Sequence, residues 1–254
     1  MSDPDDTSDG EPASTSLEDA LERARSLSVA EIADAVQSIG FECTHCGACC
    51  RSETDCGGDT AGGDADTSPH TATVFPDEVR TIRESLADAD GGDRPVDWRD
   101  VARPMPFGLE TNDDGTTSGE TFEWALQTDA CGDCAFYDGG SGEGGCTIHE
   151  DRPLICQTYP FSIALDGTTQ PLGDAVDEAG LVRAHECEGL GRSMDRDAAE
   201  SMARALRERA ITELEEAIAV TDTYEPREKV DGVVVHDSEG AKRPDGRPVQ
   251  RDLD

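Results

Sequence analysis

Four cysteines fall within eight residues, Cys43-Thr44-His45-Cys46-Gly47-Ala48-Cys49-Cys50, and no other feature restricts the fold of this chain so tightly. A C-x2-C step, with Gly47 permitting a tight turn, lets successive thiolates address one ion. The other six cysteines are more scattered: Cys56, then Cys131-x2-Cys134, Cys146, Cys156 and Cys187. The first residues, Met1 to Asp6, are acidic where a secretory signal would be basic and then apolar. Ten cysteines in such a chain are expected to be metal ligands or redox groups rather than structural disulfides.

The spacing does not choose the metal. Cys43, Cys46 and Cys49 match the first three ligands of the bacterial ferredoxin run, but that run continues with a cysteine and a proline where this chain has Glu53 and Thr54. A plain ferredoxin is therefore disfavoured. The adjacent side chains of Cys49 and Cys50 are expected to diverge, serving two centres or leaving one thiol outside the shell. All-thiolate sets suit zinc and iron–sulfur clusters about equally.

Further segments complete a pattern: Cys134-Ala135-Phe136-Tyr137, Cys146-Thr147-Ile148-His149-Glu150-Asp151-Arg152-Pro153-Leu154-Ile155-Cys156, and Tyr159-Pro160-Phe161. Together with Phe41 to Cys50 they resemble the YkgJ-type CxxCxxCC family, described as zinc- or iron-chelating and often labelled an iron–sulfur cluster protein or oxidoreductase. The same cysteine domain occurs in flagellin lysine N-methylases. The resemblance covers roughly residues 41–191. It implies ligand roles for Cys43, Cys46, Cys49 and Cys50, and equally for Cys134, Cys146, Cys156 and Cys187. Those eight thiols are enough for two four-coordinate sites or one multinuclear site. Cys56 and Cys131 fall outside the pattern and are expected to be free thiols or substitute ligands. His149 stands where the family usually has tyrosine, and Gln157 where it usually has arginine. The first change could add a nitrogen ligand, and the second removes a cation beside the site.

His45, His149 and His185 each lie within three residues of a cysteine, as candidate ligands or second-layer groups, whereas His70 and His236 carry no signal. Arg51 and Arg152 could offset the negative charge of a thiolate-bound metal, or simply pair with neighbouring carboxylates. Other chemistries are thinly supported. No H-E-x-x-H, G-x-S-x-G or C-x3-C-x2-C pattern is present, and the glycine-rich pieces form no phosphate loop. Cys131-Gly132-Asp133-Cys134 is a weak candidate for thiol–disulfide exchange.

Charge and hydropathy exclude two classes of partner. Asp and Glu number 57 against 21 Lys and Arg, for a formal charge of −36, so a nucleic-acid backbone would be repelled. A uniform acidic excess with few lysines resembles haloarchaeal proteins, in which molar salt screens the repulsion. No stretch approaches the roughly 18–20 apolar residues of a membrane span. A soluble, cytoplasmic protein with a redox or protein partner is expected.

Ten of the 11 aromatic residues lie between Phe41 and Phe161, which places the core there. The expected organisation is a disordered acidic N-terminus (1–16), N-terminal helices (17–40), a cysteine-cluster domain (41–191), a C-terminal helix (192–225) and a flexible tail (226–254). Ser28 with Glu31 makes a capping box for a helix bearing Ile32, Val36 and Ile39, and Pro76 opens another through Leu86. Met202, Leu206, Ala210, Leu214 and Ile218, four apart, mark the longest helix. Residues 107–110 and 122–126 read as the two arms of a hairpin, and Phe161 to Leu165 as a strand. The fold class is α+β: a small, loop-rich, metal-centred domain with short hairpins, N-terminal helices and a long C-terminal helix. Its expected function is to hold an iron–sulfur cluster or zinc, with iron–sulfur oxidoreductase activity as the enzymatic option. The competing reading is a structural zinc module for protein interaction.

Overall fold

The computed structural model describes residues 16–52, 69–89, 91, 95–139, 145–168, 173–226 and 232–249. The expected disorder before residue 16, Cys56 and the glycine-rich stretch 57–66 lie outside the described residues. In chain order the elements are α1 (Leu17–Ser26), α2 (Val29–Ile39), β1 (Thr73–Val74), α3 (Pro76–Ala89), β2 (Ala102–Pro104), β3 (Leu109–Thr111), β4 (Thr117–Thr121) and β5 (Trp124–Leu126). There follow β6 (Tyr137–Asp138), β7 (Gly145–Cys146), α4 (Leu154–Thr158), β8 (Phe161–Ile163), β9 (Asp174–Ala175), β10 (Val182–Ala184), α5 (Arg196–Thr223), β11 (Val233–Asp237) and β12 (Gly240–Lys242). The mixture of helices and small sheets is α+β.

Local chemistry sets the helix ends. The Ser16, Ser28 and Asp195 side chains accept the Asp19, Glu31 and Ala198 N–H groups at 3.1, 3.3 and 2.8 Å, satisfying donors that the first turn leaves open. Helix α2 stops at Gly40, whose φ is +73°. A Cβ there would also lie 2.0 Å from the Arg192 carbonyl oxygen.

Two apolar cores result. In the first, α1 and α2 pack on α5, and the sheet β8-β10-β9 closes the other side. Leu21, Ile32, Val36, Phe161, Val182, Leu206 and Leu214 fill it. The second is built by α3 and the sheet β1-β5-β2, with Val79, Ile82, Trp98, Val101, Trp124 and Leu126 at its centre.

Two expectations about strands are corrected. The segment at 122–126 does not return along 107–110: β3 pairs with β4 across the Asn112–Thr116 turn, and β5 pairs with β1 and β2 instead. Trp124, at 1 % exposure, is drawn into the second core and takes its strand with it. The C-terminal segment, expected as a loose tail, folds where it is described. Strand β11 runs parallel to β4, with Val233 opposite Gly119 and Val235 opposite Thr121, and turns back into β12. Burying Val234 and Val235 contributes about 1.5–3 kcal/mol for each side chain, which offsets part of what the ordering of the hairpin costs. Asp237 ties this hairpin to the core by accepting the Trp124 indole N–H at 2.8 Å and pairing with Lys242 at 2.8 Å.

Candidate metal centre

The chain enters the cysteine motif beside Cys187. Phe41 bridges to Leu190, the Glu42 N–H donates to the Gly189 carbonyl at 3.1 Å, and the Leu190 N–H closes a turn on the Cys187 carbonyl at 3.1 Å. His45 and Gly47 then take left-handed backbone, with φ of 55° and 72°. The Tyr137 ring lies directly against Gly47, where an added Cβ would be 2.2 Å from it. Next comes a single 3-10 turn, Ala48–Cys50, closed by Cys50 N–H to the Gly47 carbonyl at 2.9 Å.

That turn corrects the expected divergence of Cys49 and Cys50. Their sulfurs stand 3.9 Å apart. Adjacent side chains oppose one another only on extended backbone; a tight helical turn removes the alternation and lets the two thiols meet.

The later cysteines are brought to the same place by different elements. The Cys134 N–H donates to the Cys50 carbonyl at 2.8 Å. The pairing of β6 with β7 sets Cys146 opposite Tyr137. Cys156 rides on α4, a short helix held at both ends: Glu78 accepts the Leu154 N–H at 2.7 Å, and Arg209 donates to the Thr158 hydroxyl at 3.1 Å. Cys50, Cys134, Cys146 and Cys156 pack against the second core, with Cys134 only 5 % exposed. Cys43, Cys46, Cys49 and Cys187 line an open cleft of about 900 Å³ at the edge of the first core. A second, smaller space of about 280 Å³ adjoins it, and Cys43, Cys49 and Cys156 line both.

All eight of these thiols are free. Their mutual proximity shows in their acidities. Donation from the Cys50 S–H holds Cys49 down to about 7, against the effect of burial and with help from the Arg152 charge. The same bond, then burial, pushes Cys50 up. Burial raises Cys134 to about 11, and it also raises Cys146, Cys156 and Cys187, each of which feels neighbouring thiols. Clustered thiolates need a compensating cation, which a metal supplies while displacing their protons. Among the described residues no three His, Cys, Asp or Glu side chains stand at the spacing of a closed metal shell, so ligation would draw these thiols inward. An all-sulfur set fits zinc or an iron–sulfur cluster, not magnesium or calcium.

The cations and rings divide their roles. Arg152 donates to the His149 carbonyl at 3.0 Å while its charge acts on Cys49, Cys146 and Cys156. Arg51 donates to the Tyr137 hydroxyl at 2.9 Å and lies over that ring, 5.4 Å from its centroid. His45 and His149 sit with ring centroids 5.9 Å apart and line both spaces. His185 packs on the edge of Tyr159 instead. Gln157 donates its side-chain N–H to the Arg152 carbonyl at 2.6 Å, bracing the turn before α4.

Cys131 is not a free thiol or a ligand in waiting: it is disulfide-bonded. Cys134 is free, so the two do not form a joined redox pair and the thiol–disulfide reading of Cys131-x2-Cys134 falls away. Two histidines carried no sequence signal, and only His70 reaches the site. His70, in a segment without periodicity, lines the smaller space, and burial lowers its pKa. His236, on β11, is buried and pairs with Glu120 of the neighbouring β4 at 2.8 Å, and its contacts do not include the cysteines.

No curated protein and no solved structure matches this chain significantly. Residues 42–188, which span the motif and all eight free thiols, match the family model CxxCxxCC, described as a "putative zinc- or iron-chelating domain", and the chain belongs to that family.

Proposed function

We propose that this protein holds zinc or an iron–sulfur cluster through cysteine thiolates, and that the cluster-loaded form transfers electrons to a redox partner docking at the open cleft. The observation that carries the reading is the convergence of eight free thiols from four separate segments on two adjoining spaces. Membership of a chelating family supports it, as does the Arg152 charge beside the thiols. A cytoplasmic location and an iron–sulfur oxidoreductase activity belong to the same reading.

The packing of four thiols against an apolar core favours a second reading, a structural zinc module that presents a surface to a protein partner. Metal and acid-labile sulfide analysis with a visible spectrum, on protein made anaerobically in high salt, separates the two. Iron and sulfide in similar amounts with broad visible absorption support the redox reading. Colourless protein with zinc supports the structural one, and protein without metal overturns both.

A further inference from the structure

The eight thiols are not one set. We propose that they form two separate four-thiolate centres, an inner one from Cys50, Cys134, Cys146 and Cys156 and an outer one from Cys43, Cys46, Cys49 and Cys187. The proposal rests on the metal-binding reading above and deepens it.

Packing makes the division. Cys50, Cys134 and Cys146 line the smaller space alone, and Cys46 and Cys187 line the cleft alone. The three thiols common to both are sorted by their surroundings. Cys156 packs against the second core with the inner three, whereas Cys43 and Cys49 are exposed. Four and four result, each the number that closes a tetrahedral thiolate shell or a cluster.

Backbone geometry supports the same grouping. The inner four are gathered by the Cys50–Cys134 hydrogen bond, the β6–β7 pairing and the clamped helix α4. The outer four are gathered by the Phe41–Leu190 bridge, which sets the start of the motif beside Cys187. Cys43, Cys46 and Cys49 then supply the three closely spaced ligands of an outer shell, and Cys187 replaces the nearby fourth cysteine that the run lacks. The centres meet at one point, the Cys49 and Cys50 sulfurs at 3.9 Å. In this division the two adjacent residues are assigned to different shells by what lies around them, Cys50 packing on the second core and Cys49 being exposed.

The two centres differ in access. The inner one lies against apolar side chains such as Leu126, Ile148 and Ile155, and its Cys134 is buried, which restricts the approach of water and competing ligands. The outer one opens on the cleft, beside Glu42, Glu186 and Glu188, while His45, His149 and Tyr159 line both spaces. The inner centre is structural, and the outer one is where metal exchanges and where a partner or substrate gains access.

Titration of reduced, metal-free full-length protein with cobalt(II), anaerobically and in high salt, tests this through the sulfur-to-cobalt and ligand-field absorption bands. Wild type should saturate at two cobalt ions per chain, and a chelator should withdraw them in two phases. Cys43→Ser/Cys187→Ser should saturate at one and keep only the slow phase. Cys134→Ser/Cys146→Ser should lose the slow phase, and circular dichroism checks that it folds. Should that variant unfold, the outer-site variant and the two wild-type phases decide alone. Saturation of wild type at one cobalt, or loss of both ions in the Cys43/Cys187 variant, would overturn the two-centre proposal while leaving thiolate metal binding intact. Wild type without thiolate–cobalt bands would instead sink the metal-binding reading itself.

Discussion

Glu78 caps two helices at once: its Oε1 accepts the Leu154 N–H at 2.7 Å, and its Oε2 accepts the Phe75 N–H at 2.9 Å. The first bond satisfies an open donor at the start of α4, and the second braces the entry to α3, so a single carboxylate fixes the element that carries Cys156. Glu78→Ala should cost about 2–3 kcal/mol, since two charge-assisted bonds vanish and two N–H groups lose their partner. Glu78→Gln keeps one acceptor and should cost less. Denaturant midpoints at unchanged slope measure both, and equal losses from the two variants would show that the second acceptor is irrelevant.

The same carboxylate predicts how stability depends on pH. Burial raises Glu78 above the ordinary 4.5, opposed by the two N–H donors. Burial likewise raises Glu123 and Glu216, and the neighbouring carboxylates Glu213 and Asp237 respectively add to it. A carboxyl group with a raised folded-state pKa binds its proton more tightly in the folded chain. Stability is therefore greatest below the unfolded value and falls as pH rises from 4.5 through the raised range. Melting temperatures across that window, at fixed high salt, should decline, and Glu78→Gln should flatten the decline. A rise with pH would contradict the sign.

Arg209 and Glu213 form a buried ion pair on α5 at 2.8 Å, with side-chain exposures of 9 % and 8 %. Arg209 also reaches the Thr158 hydroxyl at the far end of α4. Arg209→Met takes the neighbouring cation from the largely buried Glu213 carboxylate and should cost about 3–5 kcal/mol. Arg209→Met/Glu213→Met removes both charges and should recover most of that loss. A double-mutant cycle by chemical unfolding reads the coupling; additive losses would mean the pair carries no specific interaction.

The net charge of −36 makes the fold salt-dependent. At low ionic strength the Debye length grows to about 30 Å at 0.01 M, and repulsion then acts across the whole molecule. The melting temperature should fall steadily as salt is diluted from molar to millimolar concentration, and the inner cysteines, packed in an apolar core, should be the last to become reactive toward a thiol reagent. Constant stability across that range would show that the carboxylates are spaced widely enough not to interact.

What was legible in the chain follows from the range of the interactions. Ser28 and Glu31, Pro76 and the four-residue step from Met202 to Ile218 act within a turn or two, so the helices were readable. The four cysteines from Cys43 to Cys50 were readable for the same reason. The β4–β11 pairing was not, because Gly119 and Val233 are far apart in sequence and no local pattern links them. The partner of the Trp124 strand is not legible either, because alternation reveals a strand but not its neighbour. The meeting of Cys49 and Cys50 depends on a 3-10 turn that residue spacing does not announce. Glu78 and Arg209, which hold α4 from distant helices, left no local trace.

Gly47 is the position at which the motif tolerates no side chain for two separable reasons. Its φ of 72° disfavours any residue with a Cβ, at a cost of roughly 1–2 kcal/mol. A Cβ would also lie 2.2 Å from the Tyr137 ring, whose hydroxyl is held by Arg51 at 2.9 Å. Gly47→Ala should therefore lower both thermal stability and cobalt affinity, because the turn that presents Cys46 and Cys49 must distort or the ring must leave. Tyr137→Ala removes the collision but not the backbone strain. In the Tyr137→Ala background, Gly47→Ala should cost clearly less than in wild type, and the difference measures the ring contact. If the two changes are additive, the left-handed backbone alone demands glycine, and the Tyr137 ring is free to move aside.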